Sequence, residues 1–169
     1  MATRKVRIFG DDVLRKRCKE ITEMTPKIKV LIEDMLDTMY EEDGVGLAAP
    51  QVGILKRLVV IDVGEGPIVM INPEILETSG EQTGYEGCLS FPNQFAKIIR
   101  PAEVTVKFLD IDGNEVKLKA KELLAQAISH EVDHLEGILF VDKIIPGASE
   151  VVTNNENENE SKTKKDNKK

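Results

Sequence analysis

The strongest constraint on this chain is the pentapeptide His130-Glu131-Val132-Asp133-His134, which sits inside a run with helical periodicity. These are the only two histidines among 169 residues, and they lie one helical turn apart. At that spacing two imidazoles can reach one cation, and the adjacent carboxylate can exchange a proton with a water at an open coordination position. On a helical wheel for residues 121–136, Leu123, Leu124, Ala127, Ile128 and Leu135 form a wide apolar arc. Glu122, Gln126, Ser129 and Asp133 fall opposite, and both histidines lie at the edge of the arc beside Leu123. Glu131 falls in the middle of the arc, where a carboxylate is costly to bury unless a metal or a proton-transfer role offsets it. A helix of this kind belongs in the interior, so the fold has to be built around it.

The rest of the chain supplies short strands. Thr25-Pro26 reads as a cap followed by Pro at the first helical position. Ile28, Leu31, Ile32, Met35, Leu36 and Met39 follow at spacings of three and four, which predicts an N-terminal amphipathic helix that stops near Gly44. β-type runs occupy residues 57–63, 68–71, 75–82, 96–99, 103–109 and 115–120, with Asp112-Gly113 as a hairpin signal. The segments around 44–51 and 86–90 read as irregular. Strands without regular βαβ alternation indicate an α+β fold, with short, mainly antiparallel strands around the central histidine-bearing helix.

One domain over residues 1–147 is expected at this length, followed by a polar low-complexity tail over 148–169. Residues 154–169 contain no apolar side chain, which marks this end as disordered on composition. The formal charge is −7, and residues 150–169 carry equal numbers of acids and lysines, so the excess lies on the body. An acidic body argues against a protein that holds DNA across its main face. Residues 1–10 lack a signal-peptide apolar run and no stretch approaches a membrane span, so a cytoplasmic protein with reduced thiols and no membrane contact is expected.

A catalytic site needs three protein ligands and an open position; a structural one is closed by four. No third histidine exists. Zinc peptidases with this motif usually take a further His or Glu downstream, but Asp142 and the tail are poor candidates, so cysteine is the better choice. Cys88 lies between Gly87 and Leu89, where the backbone can be approached closely. Cys18 follows Arg15-Lys16-Arg17 and reads as an ordinary thiol. Cys18, Cys88, His130 and His134 could also close a structural site, although the cysteines lack the close pairing such sites show. A metallopeptidase cutting internal bonds and a non-catalytic metal-binding module are the remaining alternatives.

Three segments together resemble the peptide deformylase family: Gly44-Val45-Gly46-Leu47-Ala48-Ala49-Pro50-Gln51, Glu86-Gly87-Cys88-Leu89-Ser90, and His130-Glu131-Val132-Asp133-His134-Leu135. Their order and separations are similar to the bacterial form without larger insertions. The resemblance implies Cys88, His130 and His134 as metal ligands and Glu131 as the acid–base group. It implies that the Gln51 side-chain amide and the Leu89 backbone N–H face a developing oxyanion, and that the Gly46 backbone pairs with bound peptide. It implies removal of formyl groups from formyl-methionyl nascent peptides, with Fe2+ in the cell and Zn2+, Ni2+ or Co2+ as substitutes. The chain departs from the pattern at Ser129, commonly Gln, and at Phe95, near a position that is Arg in some members; Gln126 is polar where an apolar wall is expected. Each imidazole should donate its second ring N–H to an acceptor, Glu86 or a backbone carbonyl. Because such substrates emerge from ribosomes, the lysines at 162, 164, 165, 168 and 169 offer a possible contact with RNA phosphate, against the simpler reading of a solvated end.

Overall fold

The computed structural model describes residues 2–145 and the backbone of Val152–Thr153; the lysine-rich end, and with it the ribosome contact considered for it, lies outside the described residues. Among these residues the order is α1 (Pro26–Glu41), β1 (Gly46–Ala48), β2 (Leu58–Ile61), β3 (Ile68–Ser79), β4 (Gln82–Cys88), β5 (Phe91–Arg100), β6 (Glu103–Leu109), β7 (Glu115–Lys121), α2 (Glu122–Leu135) and β8 (Val152–Thr153). Short 3-10 turns occupy Asp12–Arg15, Ala49–Val52 and Phe140–Lys143. One sheet has the order β1-β2-β3-β6-β7 and the other β4-β5-β8, and all their strand pairings are antiparallel. The α+β expectation, with mainly antiparallel strands around the histidine-bearing helix, is met.

The five-stranded sheet is covered on both faces. Leu58 and Val60 of β2 join the cluster under α1, with Leu31, Ile32, Met35 and Met39. Val59 and Ile61, pointing the other way, join the cluster under α2, with Ala127, Ile128 and Leu135. Burial on both faces explains why this strand reads as a continuous apolar run rather than an alternating one. A third cluster, with Leu14, Phe91, Ile98, Leu139 and Phe140, underlies the smaller sheet. No helix among the described residues is long and apolar enough to cross a membrane.

Helix α1 starts as expected: Thr25 Oγ1 accepts from Ile28 N–H at 3.3 Å, and Pro26 is the first helical residue. Its end differs from the expectation. Asp43, not Gly44, takes the left-handed conformation (φ 54°), and Gly44 N–H bonds back to the Met39 carbonyl at 2.9 Å. A Cβ on Gly44 would come within 2.8 Å of the Leu89 side chain, which would have to shift. Runs 68–71 and 75–82 are also corrected. Residues 68–79 form one bulged strand that passes through Asn72-Pro73, and Gln82 opens the next strand. Asn72 adopts φ 52° and its side-chain amide bonds both the N–H and the carbonyl of Ile21 at 2.8 Å, which holds the bulge.

The N-terminal segment is anchored on α1. Asp34 accepts from Ala2 N–H and from Arg4 Nε, each at 2.9 Å, and Thr38 Oγ1 accepts from Arg4 N–H at 2.9 Å. The Ala2 N–H and the Arg4 guanidinium hold the Asp34 carboxyl down at about 2, from 3.8. A depressed folded-state pKa gives stability that is present above pH 3.8 and is lost as pH falls toward 2. Asp34→Asn should therefore be less stable than the parent at neutral pH, with the gap narrowing between those values. Urea midpoints measured across that range check this; a pH-independent gap would remove Asp34 from the account.

Candidate metal centre

Helix α2 runs between the two sheets. Its core face, including Ala125, Ala127, Ile128 and Leu135, packs on the five-stranded sheet. The wheel is borne out for Glu131, which is buried, but not for two neighbours. Leu123 is 49 % exposed at the mouth of a cleft, and Ser129 is buried with its Oγ donating to the Ala125 carbonyl at 2.8 Å. The smaller sheet approaches the nominally polar side, where Arg100 of β5 bonds Asp133, and the open cleft leaves Leu123 uncovered. Ser129 is therefore turned away from the cleft, whereas Phe95 and Gln126 line it.

The cleft encloses about 470 Å³, between the 42–46 segment, the β4–β5 hairpin and the first turns of α2. At its floor lie Cys88 and His130, and His134 Nε2 stands 3.3 Å from His130 Nε2 and 3.4 Å from Cys88 Sγ. Cys88, His130 and His134 each direct one donor atom into a group spanning less than 4.8 Å. A tetrahedral site with usual thiolate and imidazole bond lengths has edges of roughly 3.4 Å (N to N) and 3.6 Å (S to N), so the donors already stand at ligand spacing. Three donors leave the fourth position free for water or substrate. Cys18 is not among them: it is buried behind α2, its N–H bonded to the Leu135 carbonyl at 2.9 Å, and burial pushes its thiol up to about 11. The four-ligand closed site is therefore not formed. Asp142 is engaged instead by Arg15 and by Leu139 N–H.

The second ring nitrogen of His130 meets the expected partner: Nδ1 lies 2.7 Å from Glu86 Oε1. That of His134 does not; among the described residues its Nδ1 is buried without a hydrogen-bond partner. Reading the sequence missed what holds Glu86. Arg100 of β5, 3 % exposed, forks onto both Glu86 oxygens at 2.7 and 2.8 Å and reaches Asp133 Oδ2 at 2.6 Å. Asp133 in turn pairs with Lys143 at 2.9 Å. The only signal available was a lone arginine in a strand, with nothing local to mark its partners.

Burial favours neutrality of Glu86, but the bonds from Arg100 and His130 outweigh it and bring the carboxyl down to about 2. Burial also works against a proton on His130, yet Cys88, Glu86 and Glu131 outweigh it and raise His130 to about 10. His134 moves well below its ordinary value, through burial and then the charge of His130. A cation held by the three donors would displace the His130 proton. Burial raises Glu131 to about 7, and Glu131 Oε2 has no hydrogen-bond partner among the described residues. A buried, unpartnered carboxylate oxygen beside three convergent soft and borderline donors fits a resident cation.

Gln51 sits in the 3-10 turn after β1, its Oε1 accepting from Ala48 N–H at 2.9 Å. Its Nε2 lies 3.4 Å from Cys88 Sγ and 3.1 Å from Ser90 Oγ. Leu89, in the tight turn between β4 and β5, and Gly46, on β1, also line the cleft. A Cβ on Gly46 would stand 2.6 Å from Glu131 Oε1, so only glycine lets β1 pass this close to the carboxylate. The segments at 44–51 and 86–90, expected to be irregular, are thus strand ends and turns pressed against α2.

Comparison with known proteins agrees with this geometry. Residues 3–150 match the polypeptide deformylase family model. The peptide deformylase of Agathobacter rectalis is 62% identical over 144 residues, which cover 85% of this chain and 91% of that one. The crystal structure of the Thermotoga maritima peptide deformylase superposes with a TM-score of 0.85 at 47% identity, covering 86% of this chain and 100% of that one. A Synechococcus elongatus peptide deformylase solved in complex with actinonin gives 0.81 at 45% identity, covering 83% and 78%. By a sequence match over residues 3–150, and by a fold shared with solved members, this chain belongs to the polypeptide deformylase family.

Proposed function

We propose that this chain removes the N-formyl group from the N-terminal methionine of newly made polypeptides, releasing formate, with a divalent cation held by Cys88, His130 and His134. The observation that carries this reading is the convergence of those three donors beside the buried Glu131 at the floor of a partly apolar cleft. When bound, the cation supplies Lewis acidity, making water a competent nucleophile near neutral pH.

The chain's own groups do the rest. Glu131 takes the proton of the attacking water and later gives it to the departing amine; a carboxyl raised toward neutrality by burial is suited to both. Gln51 Nε2 and the Leu89 backbone N–H donate to the oxyanion that develops on the formyl group. Each such donor is worth about 2.7–4 kcal/mol in well-studied cases. The position of Gly46 supports peptide pairing, because β1 is an edge strand of the five-stranded sheet and can accept one more. Val45, Leu123, Ala127 and Phe95 offer apolar wall to the methionine side chain. The metal in the cell is Fe2+ on this reading, with Zn2+, Ni2+ or Co2+ able to take its place at a mixed thiolate–imidazole site.

Protein purified without oxygen should carry close to one divalent ion per chain and release formate from formyl-Met-Ala, while leaving an unblocked peptide intact. Cys88→Ala should lose the ion and the activity, and Cys18→Ala should keep both. Cleavage of internal bonds in the unblocked peptide would favour a metallopeptidase. Loss of the ion from Cys18→Ala alone would favour a closed structural site.

A further inference from the structure

The two oxyanion donors named above come from different sheets. Gln51 follows β1 of the five-stranded sheet, and Leu89 follows β4 of the smaller one. Their separation is therefore a matter of how the sheets are held together. One short N-terminal segment bonds to both sites. Arg7 N–H donates to the Gln51 carbonyl at 2.7 Å, and two residues on, Phe9 N–H donates to the Ser90 carbonyl at 2.9 Å. Phe9 also stacks on Phe91, with ring centroids 5.5 Å apart, and the segment is anchored upstream by Ala2 and Arg4 on α1. The residues it grips are buried, whereas Arg7, Ile8 and Phe9 are themselves exposed.

We infer that residues 7–9 are a positioning brace: their two backbone N–H groups set the distance between the Gln51 amide and the Leu89 N–H. The inference rests on the oxyanion roles proposed above. The Gln51 side chain bridges toward the same turn through Ser90 Oγ, so a shift of either carbonyl moves the amide relative to Cys88. Small displacements of preorganised groups lower turnover more than they lower binding.

Arg7→Pro and Phe9→Pro each remove one N–H. Each should lower kcat by about tenfold, with KM and bound metal unchanged. In a Gln51→Ala background the effect of Arg7→Pro should shrink to under about twofold, because the group it positions is gone. An α-hydroxy acid at position 7 or 9 exchanges the N–H for an ester oxygen and gives the same readout should a proline variant fail to fold. Full kcat in the folded position-7 and position-9 variants would overturn the brace. So would an equal loss from Arg7→Pro in both backgrounds, which is the mark of a general structural defect. Parent-like kcat in Gln51→Ala itself would instead refute the oxyanion role of Gln51, and the Gln51 half of the brace would fall with it.

Discussion

Glu131→Gln should retain the full complement of bound metal and lose turnover by about 10²–10⁴-fold. The substitution preserves size and leaves Cys88, His130 and His134 untouched, but an amide can neither take nor return a proton. It should not destabilise the protein. Glu131 is buried, and its Oε2 has no hydrogen-bond partner among the described residues, so the ionised side chain bears a desolvation cost that the neutral amide avoids. Metal analysis, formate release and thermal unfolding on one preparation read all three quantities. A variant within a few-fold of parental kcat would remove Glu131 from the mechanism; loss of metal would show that it ligates rather than shuttles protons.

The second large effect is on stability. Arg100→Ala should destabilise the fold by about 3–5 kcal/mol, because it leaves Glu86 buried without its forked partner and removes one cation from Asp133. The acid limb of the stability curve should move as well. With Arg100 present, the Glu86 carboxyl lies at about 2, so its contribution holds above its ordinary 4.5 and fades as pH falls toward 2. Without Arg100 the Glu86 carboxyl rises toward or past 4.5, so the variant loses less stability than the parent as pH falls from 4.5 toward 2, and the gap between them narrows there. Metal affinity should fall by about 10–100-fold, since Glu86 orients the His130 ring. Arg100→Lys should rescue little, because an ammonium cannot span both carboxylate oxygens. Urea unfolding of metal-free and metal-loaded forms checks the prediction, and a variant within 1 kcal/mol of the parent would count against the network.

Much of the site was legible because its pieces are local. The His130–His134 spacing is one helical turn, and the Thr25-Pro26 cap is a matter of adjacent residues. The wheel also foresaw a buried Glu131. It misread Ser129, because a wheel assumes one covered face and α2 lies between two sheets, and Leu123, which the open cleft leaves uncovered. The break expected at Asn72-Pro73 follows the usual behaviour of such a pair, but a side-chain amide bonded to Ile21, 51 residues away in sequence, carries the strand through it.

By itself, then, the sequence determined which residues could do chemistry and which segments could be helix or strand, since periodicity, capping and i,i+4 spacing act within a few residues. The lack of a third histidine and the poor downstream acids pointed to Cys88 as the third donor and the likeness between motifs agreed, but only the packing of β4 against α2 put its sulfur beside His134, 46 residues away in sequence. The hold of Arg100 on Glu86 and Asp133, and that of residues 7–9 on Gln51 and Ser90, were decided by tertiary structure alone. They join groups separated by long stretches of chain, and no local pattern encodes which buried charge or carbonyl will stand opposite another once two sheets close on one helix.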